Sequence, residues 1–150
     1  MDYNEKDKWH KGNYKQHSNA VEATHPDGTK QIIFQTTESG YSTEDAMRNL
    51  IDWYANDNET HPLVKCAIFA YDFVSIHPFQ DGNGRLSRVL TSLLLLKSGY
   101  TYIPYSSMES IIERNKDSYY LSLRRTQTTL DDEDVHWLPW LRFFFSSLKR

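Results

Sequence analysis

From Pro62 to Gly99 the chain reads PLVKCAIFAYDFVSI, then HPFQDGNGRLSR, then VLTSLLLLKSG. In the first block Leu63, Val64, Ala67, Ile68, Tyr71 and Val74 recur at three- and four-residue steps up to Ile76, the period of a core helix. Pro62 suits its first position, where a missing N–H costs nothing. Leu86, Val89, Leu90, Leu93 and Leu94 repeat the spacing, and Gly99 stands where a left-handed C-terminal residue is wanted. The spacing predicts a helix-loop-helix over 62–98, with a short glycine-bearing connection fixed at both ends.

Outward from this core, Ser42 or Thr43 can cap a helix whose first turn carries Glu44 and Asp45, with Ala46, Leu50, Ile51 and Tyr54 as its apolar stripe. It should end near Asn56-Asp57-Asn58. Two further helices are expected, from Met108 to Thr126 with a break near Asn115, and from Val135 to Leu148. Before them, His25-Pro26-Asp27-Gly28-Thr29 is turn chemistry, and Gln31 to Thr37 has β-branched and aromatic residues at strand length. Residues 25–37 therefore read as a short hairpin or flap, and 1–20 as an irregular arm. The fold class is mainly α, a helical bundle with one short β-hairpin, in a single domain of 150 residues.

Composition narrows the function. The 39% hydrophobic and 25% charged residues are those of a globular protein, and 14% aromatic content argues against disorder. A net charge of -3 gives no overall attraction to nucleic acid or to an anionic membrane, so any anion must find a local site. Cys66 has no second cysteine to pair with and sits in an apolar helical stretch, which reads as a small buried side chain. His61 is too far from His77 for local zinc spacing, and no permanent metal is expected. Without an apolar leader in Met1–Lys6, and with Leu93–Leu96 far too short to cross a bilayer, a cytoplasmic location is the default expectation.

The connection His77-Pro78-Phe79-Gln80-Asp81-Gly82-Asn83-Gly84-Arg85-Leu86-Ser87-Arg88 concentrates a base, an acid, two glycines and two arginines. Gly82 and Gly84 let backbone N–H groups converge, and the following helix adds its positive end, which together make an anion cradle. Arg85 and Arg88, three apart, share a face at that helix start, where two cations oppose the dipole unless an anion such as a di- or triphosphate joins them. Asp81 suits Mg²⁺ brought in on phosphate oxygens, and Asn83 can bond a phosphate or the loop itself. His77 titrates near neutrality and is the candidate general base. Taken singly, a histidine before proline can serve only a carbonyl, and Asp81–Gly84 is an ordinary turn; the combination is what points to chemistry. A calcium loop fails because Leu86 and Ser92 stand where glycine and glutamate are needed, and no Gly-Lys-Ser/Thr phosphate loop exists.

These twelve residues resemble the signature of the Fic family, His-x-Phe-x-Asp/Glu-Gly-Asn-Gly-Arg-x-x-Arg. Gly12-Asn13-Tyr14-Lys15 is similar to the family's leading motif, with lysine where arginine is commoner, Ile32–Thr36 to its flap, and Tyr119-Tyr120 to its nucleotide-side helix. The resemblance implies a Fic-type helical bundle that transfers AMP from ATP to a hydroxyl of a target protein. By that likeness His77 deprotonates the target, Phe79 anchors the loop, and Asp81 binds Mg²⁺. Gly82, Asn83 and Gly84 cradle phosphates, and Arg85 and Arg88 hold the outer ones. Tyr120, and Gln127 in place of a frequent asparagine, contact adenine or ribose, with core and solvated roles as the alternatives. The flap residues Ile32, Ile33, Phe34 and Gln35 offer an open edge to which a target adds a strand.

Many family members carry an inhibitory helix of the type Ser/Thr-x-x-x-Glu-Gly/Asn, and no such segment occurs in this sequence. The chain is then constitutively competent, restrained by a separate inhibitory partner, or a piece of a longer regulated protein. Two other functions stay open. One is transfer of another nucleotide or phosphate-containing group, although phosphorylating relatives tend to have Asn-Ala-Asn-Lys in place of Asp-Gly-Asn-Gly. The other is a nucleotide-binding interaction module that docks partners through the flap or through Trp137, Trp140, Phe143, Phe144 and Phe145, aromatics whose helical spacing suits a core.

Overall fold

The computed structural model of the protein describes residues 11–102, 108–130 and 132–149. Along these run β1 (Ala20–Thr24), β2 (Lys30–Gln35), α1 (Tyr41–Asn56), α2 (Pro62–Ile76), α3 (Asn83–Lys97), α4 (Met108–Arg114), α5 (Lys116–Gln127) and α6 (Leu138–Leu148). The expected class, mainly α with one hairpin, is what is observed.

The pillar of the bundle is α2, apolar almost all round and therefore buried on two faces. One face, with Cys66, Ala67, Ala70, Tyr71 and Val74, packs against Leu95 of α3, Ile112 of α4, Tyr119 and Leu123 of α5, Trp140 and Phe144 of α6, and Phe34 of β2. The other, with Phe69, Phe73 and Ile76, meets Met47 and Leu50 of α1. Each buried Val, Leu, Ile, Phe or Met among them contributes roughly 1.5–3 kcal/mol. Trp140 also donates its indole N–H to the Ala67 carbonyl at 2.7 Å, satisfying the one polar atom that its burial would strand. Trp140 and Phe144, expected either in the core or on a docking end, are in the core, with Trp137, Phe143 and Phe145 packed partly buried against it. Cys66 is fully buried, and burial pushes its thiol pKa up, as the structural reading requires.

Several boundaries differ from the sequence expectation. The predicted break near Asn115 is there, between α4 and α5. Helix α1 starts at Tyr41, after Gly40 at φ 82° and ahead of both expected caps, and neither Ser42 nor Thr43 caps it; the Thr43 hydroxyl donates instead to the Glu38 carbonyl at 2.6 Å. Helix α6 starts at Leu138 because Pro139 suits a first turn. The hairpin is 20–35 rather than 25–37, since the arm's last residue, Ala20, already opens β1. Alone, AVEAT has no strand signature; it is extended because it pairs antiparallel with β2, Ala20 opposite Gln35 and Thr24 opposite Lys30. The register slips by one residue at Ile33, between the pairs Val21–Phe34 and Glu22–Ile32, which makes a bulge. Among the described residues no helix is long and apolar enough to cross a membrane.

Candidate active site

Helix α2 ends because His77 turns left-handed, at φ 52° and ψ 57°. No other non-glycine residue described has positive φ. Such a backbone costs about 1–3 kcal/mol and persists only where its surroundings over-determine it. They do so here from the arm. The Lys15 N–H donates to the Pro78 carbonyl at 2.7 Å, and its ammonium donates to the Ile76 carbonyl at 2.9 Å. The Asn19 amide donates to the carbonyls of His77 at 3.3 Å and Phe79 at 2.9 Å. Lys15 is 2% exposed, and burial lowers its pKa to about 8.

The His77 ring places Nδ1 3.1 Å from the Val74 carbonyl. A carbonyl can only accept, so the proton belongs on Nδ1 and Nε2 keeps its basic lone pair. Burial lowers the imidazole pKa below its ordinary value; the Val74 bond opposes this, Lys15 adds to it, and Asp81 opposes it. The ring is neutral at pH 7, the form in which it can take a proton.

The loop beyond is closed on itself. Asn83 is 1% exposed, accepts from the Phe79 N–H at 2.8 Å and donates to the Phe79 carbonyl at 2.7 Å. Of its two expected uses, the one seen in this structure is bonding within the loop. Phe79 packs against the Met47–Leu50 cluster, its ring 5.7 Å from that of Tyr14. Gly82, left-handed at φ 82°, caps α3, which thus starts at Asn83 and not near Arg85. A Cβ on Gly84 would come within 3.3 Å of the Arg88 guanidinium. Asp81 is exposed and accepts from the Gly82 N–H at 2.7 Å. The first turn of α3 presents the remaining N–H groups that a helix leaves without internal partners.

Arg85 is exposed, whereas Arg88 lies mostly covered with its Nη2 2.9 Å from the Glu109 carboxylate of α4. No segment matching the inhibitory pattern was expected here, yet a carboxylate does reach the second arginine. His77, Gly84 and Arg88 line a cleft of about 230 Å³ that Val21 of β1, Glu109 and Ile112 of α4, and Tyr120 of α5 complete. A larger groove of about 690 Å³ between α5 and α6 shares none of these residues, so chemistry and not volume identifies the site.

The structure divides the remaining predicted residues. Tyr120 is on the cleft wall. Gln127 is not; its amide bonds the backbone of Gln35, which accounts for both its polar atoms. Of the flap residues, Ile32 is exposed, but the Phe34 side chain is 1% exposed and points into the core edge-on to Tyr71, so it anchors the hairpin. Lys15 carried a sequence signal through its motif. Asn19 and Glu109 carried none, because their partners are 58 to 60 and 21 residues away.

The sequence profile of the Fic/DOC family matches residues 3–95. The chain is 35% identical over 95 residues to a Fido domain-containing protein of Dictyostelium discoideum, covering 63% of this chain and 62% of that one. It is 51% identical over 86 residues to the protein adenylyltransferase Fic of Drosophila mojavensis, covering 57% of this chain and 15% of that protein. A probable protein adenylyltransferase of Aquifex aeolicus is 30% identical over 87 residues, with 58% and 25% covered. The chain thus spans a quarter or less of these two adenylyltransferases. Among solved structures, a Fic family protein from Desulfovibrio desulfuricans superposes with a TM-score of 0.70 at 29% identity, over 92% of this chain and 38% of that one. A Fic domain containing signaling protein from Bacteroides thetaiotaomicron shares the fold with a TM-score of 0.66 at 24% identity, over 95% and 55%. With more than half its length matched by the profile and the loop built as described, the chain belongs to the Fic/DOC family.

Proposed function

We propose that the chain is a nucleotidyltransferase that moves AMP from ATP onto a Ser, Thr or Tyr hydroxyl of a target protein. The observation that carries this reading is a neutral His77 with Nε2 available, on the rim of a cleft shared with the α3 N-terminus and Arg88. Nε2 takes the hydroxyl proton, the oxygen forms its bond to the α-phosphorus, and the bond to the β-phosphate oxygen breaks, releasing pyrophosphate. The backbone N–H groups at Gly82–Gly84 receive phosphate oxygens, that of Gly82 once Asp81 releases it, and Arg85 and Arg88 the outer phosphates. Arg88 must exchange its Glu109 partner for a phosphate to do so. The names of the Drosophila and Aquifex relatives support the same chemistry.

Asp81 is the residue that would hold Mg²⁺. Among the described residues there is no group of three acidic, histidine or cysteine side chains able to bind a metal alone. A single exposed carboxylate beside the anion cradle fits an ion whose other ligands are phosphate oxygens and water. Such an ion supplies neutralisation of phosphate charge. A target segment would lie along the hairpin edge, and a separate inhibitory partner and a cytoplasmic setting complete the proposal.

The test is mass spectrometry of a cell lysate incubated with the chain, Mg²⁺ and ATP. Adenosine linked by a phosphodiester to Ser, Thr or Tyr, with one pyrophosphate released per adduct, is the expected product. A bare phosphate on the same side chains would favour transfer of a different group. Nucleotide binding with neither adduct would favour the interaction module.

A further inference from the structure

We propose that Gln127 is a positioning residue of the hairpin, closing the open edge of β2 at Gln35 and so fixing where an extended protein segment can pair beside His77. This deepens the transfer reading and rests on it.

Among the described residues the sheet has two strands, so β2 pairs with β1 along one edge and its other edge meets no described strand. At the end of that edge the Gln127 side chain of α5 donates to the Gln35 carbonyl at 2.8 Å and accepts from the Gln35 N–H at 3.3 Å. These are the two bonds that a residue of a neighbouring strand would make, supplied by one amide. Gln35 stands opposite Ala20, and since its N–H and carbonyl both turn to Gln127, the pair is one of the non-hydrogen-bonded positions of the ladder. An added strand can therefore run beside Lys30–Phe34 and must stop at Gln35. Within that stretch the bulge at Ile33 breaks the ladder's regular alternation and narrows the usable register further.

The same helix ties this stop to the reaction centre. Tyr119 and Tyr120, about two turns earlier on α5, line the cleft with His77, and Val21 of β1 lines it from the hairpin. Holding Gln35 to α5 sets the separation between the strand edge and His77 Nε2.

Gln127→Leu and Gln127→Glu test this through the protection of the Gln35 amide against hydrogen exchange, the affinity for Mg²⁺–ATP, and the sites modified on a short peptide of alternating valine and threonine. In Gln127→Leu, Gln35 protection should fall by about tenfold or more, as expected when a local opening loses its restraint. ATP affinity should stay within about twofold. Modification should spread from one threonine to its neighbours in the same register series. In Gln127→Glu the ionised carboxylate still accepts from the Gln35 N–H but repels its carbonyl, so protection should rise as pH falls through the carboxyl range, where the acid both donates and accepts. Unchanged Gln35 protection, or a tenfold loss of ATP affinity in Gln127→Leu, would overturn the assignment. A wild-type chain that places no AMP on peptide or lysate would sink the transfer reading instead, with Gln35 protection still reporting on the clamp.

Discussion

The loop from His77 to Arg88 and the hairpin from Ala20 to Gln35 border the same cleft, but they are held by different kinds of contact. In the loop, side chains bond backbone within four residues, His77 to Val74, Asp81 to Gly82 and Asn83 to Phe79, and the arm's Lys15 and Asn19 add bonds to the carbonyls of Pro78, His77 and Phe79. In the hairpin, hold comes from across the fold: Phe34 in the core, and Gln35 on an amide 92 residues away. A loop closed by short-range bonds is preorganised for chemistry before any ligand arrives, which is what anion stabilisation demands. A two-stranded sheet is marginal by itself, and the outer edge of β2 short of Gln35 remains available for a partner.

The comparison can be broken at either end. The largest effect expected is on stability, from Phe34→Ala, which removes a fully buried ring and should cost about 3–5 kcal/mol in urea unfolding. If it cost little, the hairpin would not depend on the core as described. Asn83→Asp keeps the acceptor for the Phe79 N–H, loses the donor to the Phe79 carbonyl and buries a charge. It should cost roughly 1–3 kcal/mol or more and remove most transfer in the fraction that stays folded. Ile33→Pro, at the bulge, should reduce transfer to protein targets while nucleotide affinity holds; parallel loss of both would erase the distinction between hairpin and loop.

The pH dependence sharpens the loop side. The folded pKa of His77 lies below the ordinary histidine value of 6.5, so between the two the unfolded chain binds more protons. Stability contributed by this group therefore rises with pH through that window, and kcat/KM for transfer should lose activity only as pH falls below 6.5. An acidic limb centred above 6.5 would mean that the ring is not held neutral by burial. The smallest effect belongs to Glu109→Gln. It frees Arg88 from a carboxylate that is largely exposed, and should tighten ATP binding by about twofold to fivefold in titration at low salt, the range of an exposed pair.

How much of this could be read from the sequence follows the same division. Helical periodicity placed α2, α3 and the Asn115 break, and the motif brought His77, Asp81, Gly82, Gly84 and Arg88 to one end of the bundle, because each of these signals is carried within a few residues. Asn83 was legible as a loop residue but not as a buried one, since nothing local says which way its amide turns. The first strand was missed because AVEAT becomes a strand only through its partner. Asn19, Glu109 and Gln127 acquire their contacts here with residues 58 to 60, 21 and 92 positions away, and such pairings leave no trace in spacing or composition.

The most direct test of the central claim uses ATP labelled in parallel at the α and γ phosphates, the wild-type chain beside His77→Ala, and a lysate as target source. The account predicts label on protein from α and not from γ, reduced about 10²–10⁴-fold in His77→Ala, with ATP affinity within about twofold of wild type. Label from γ, or transfer that survives His77→Ala, would contradict it.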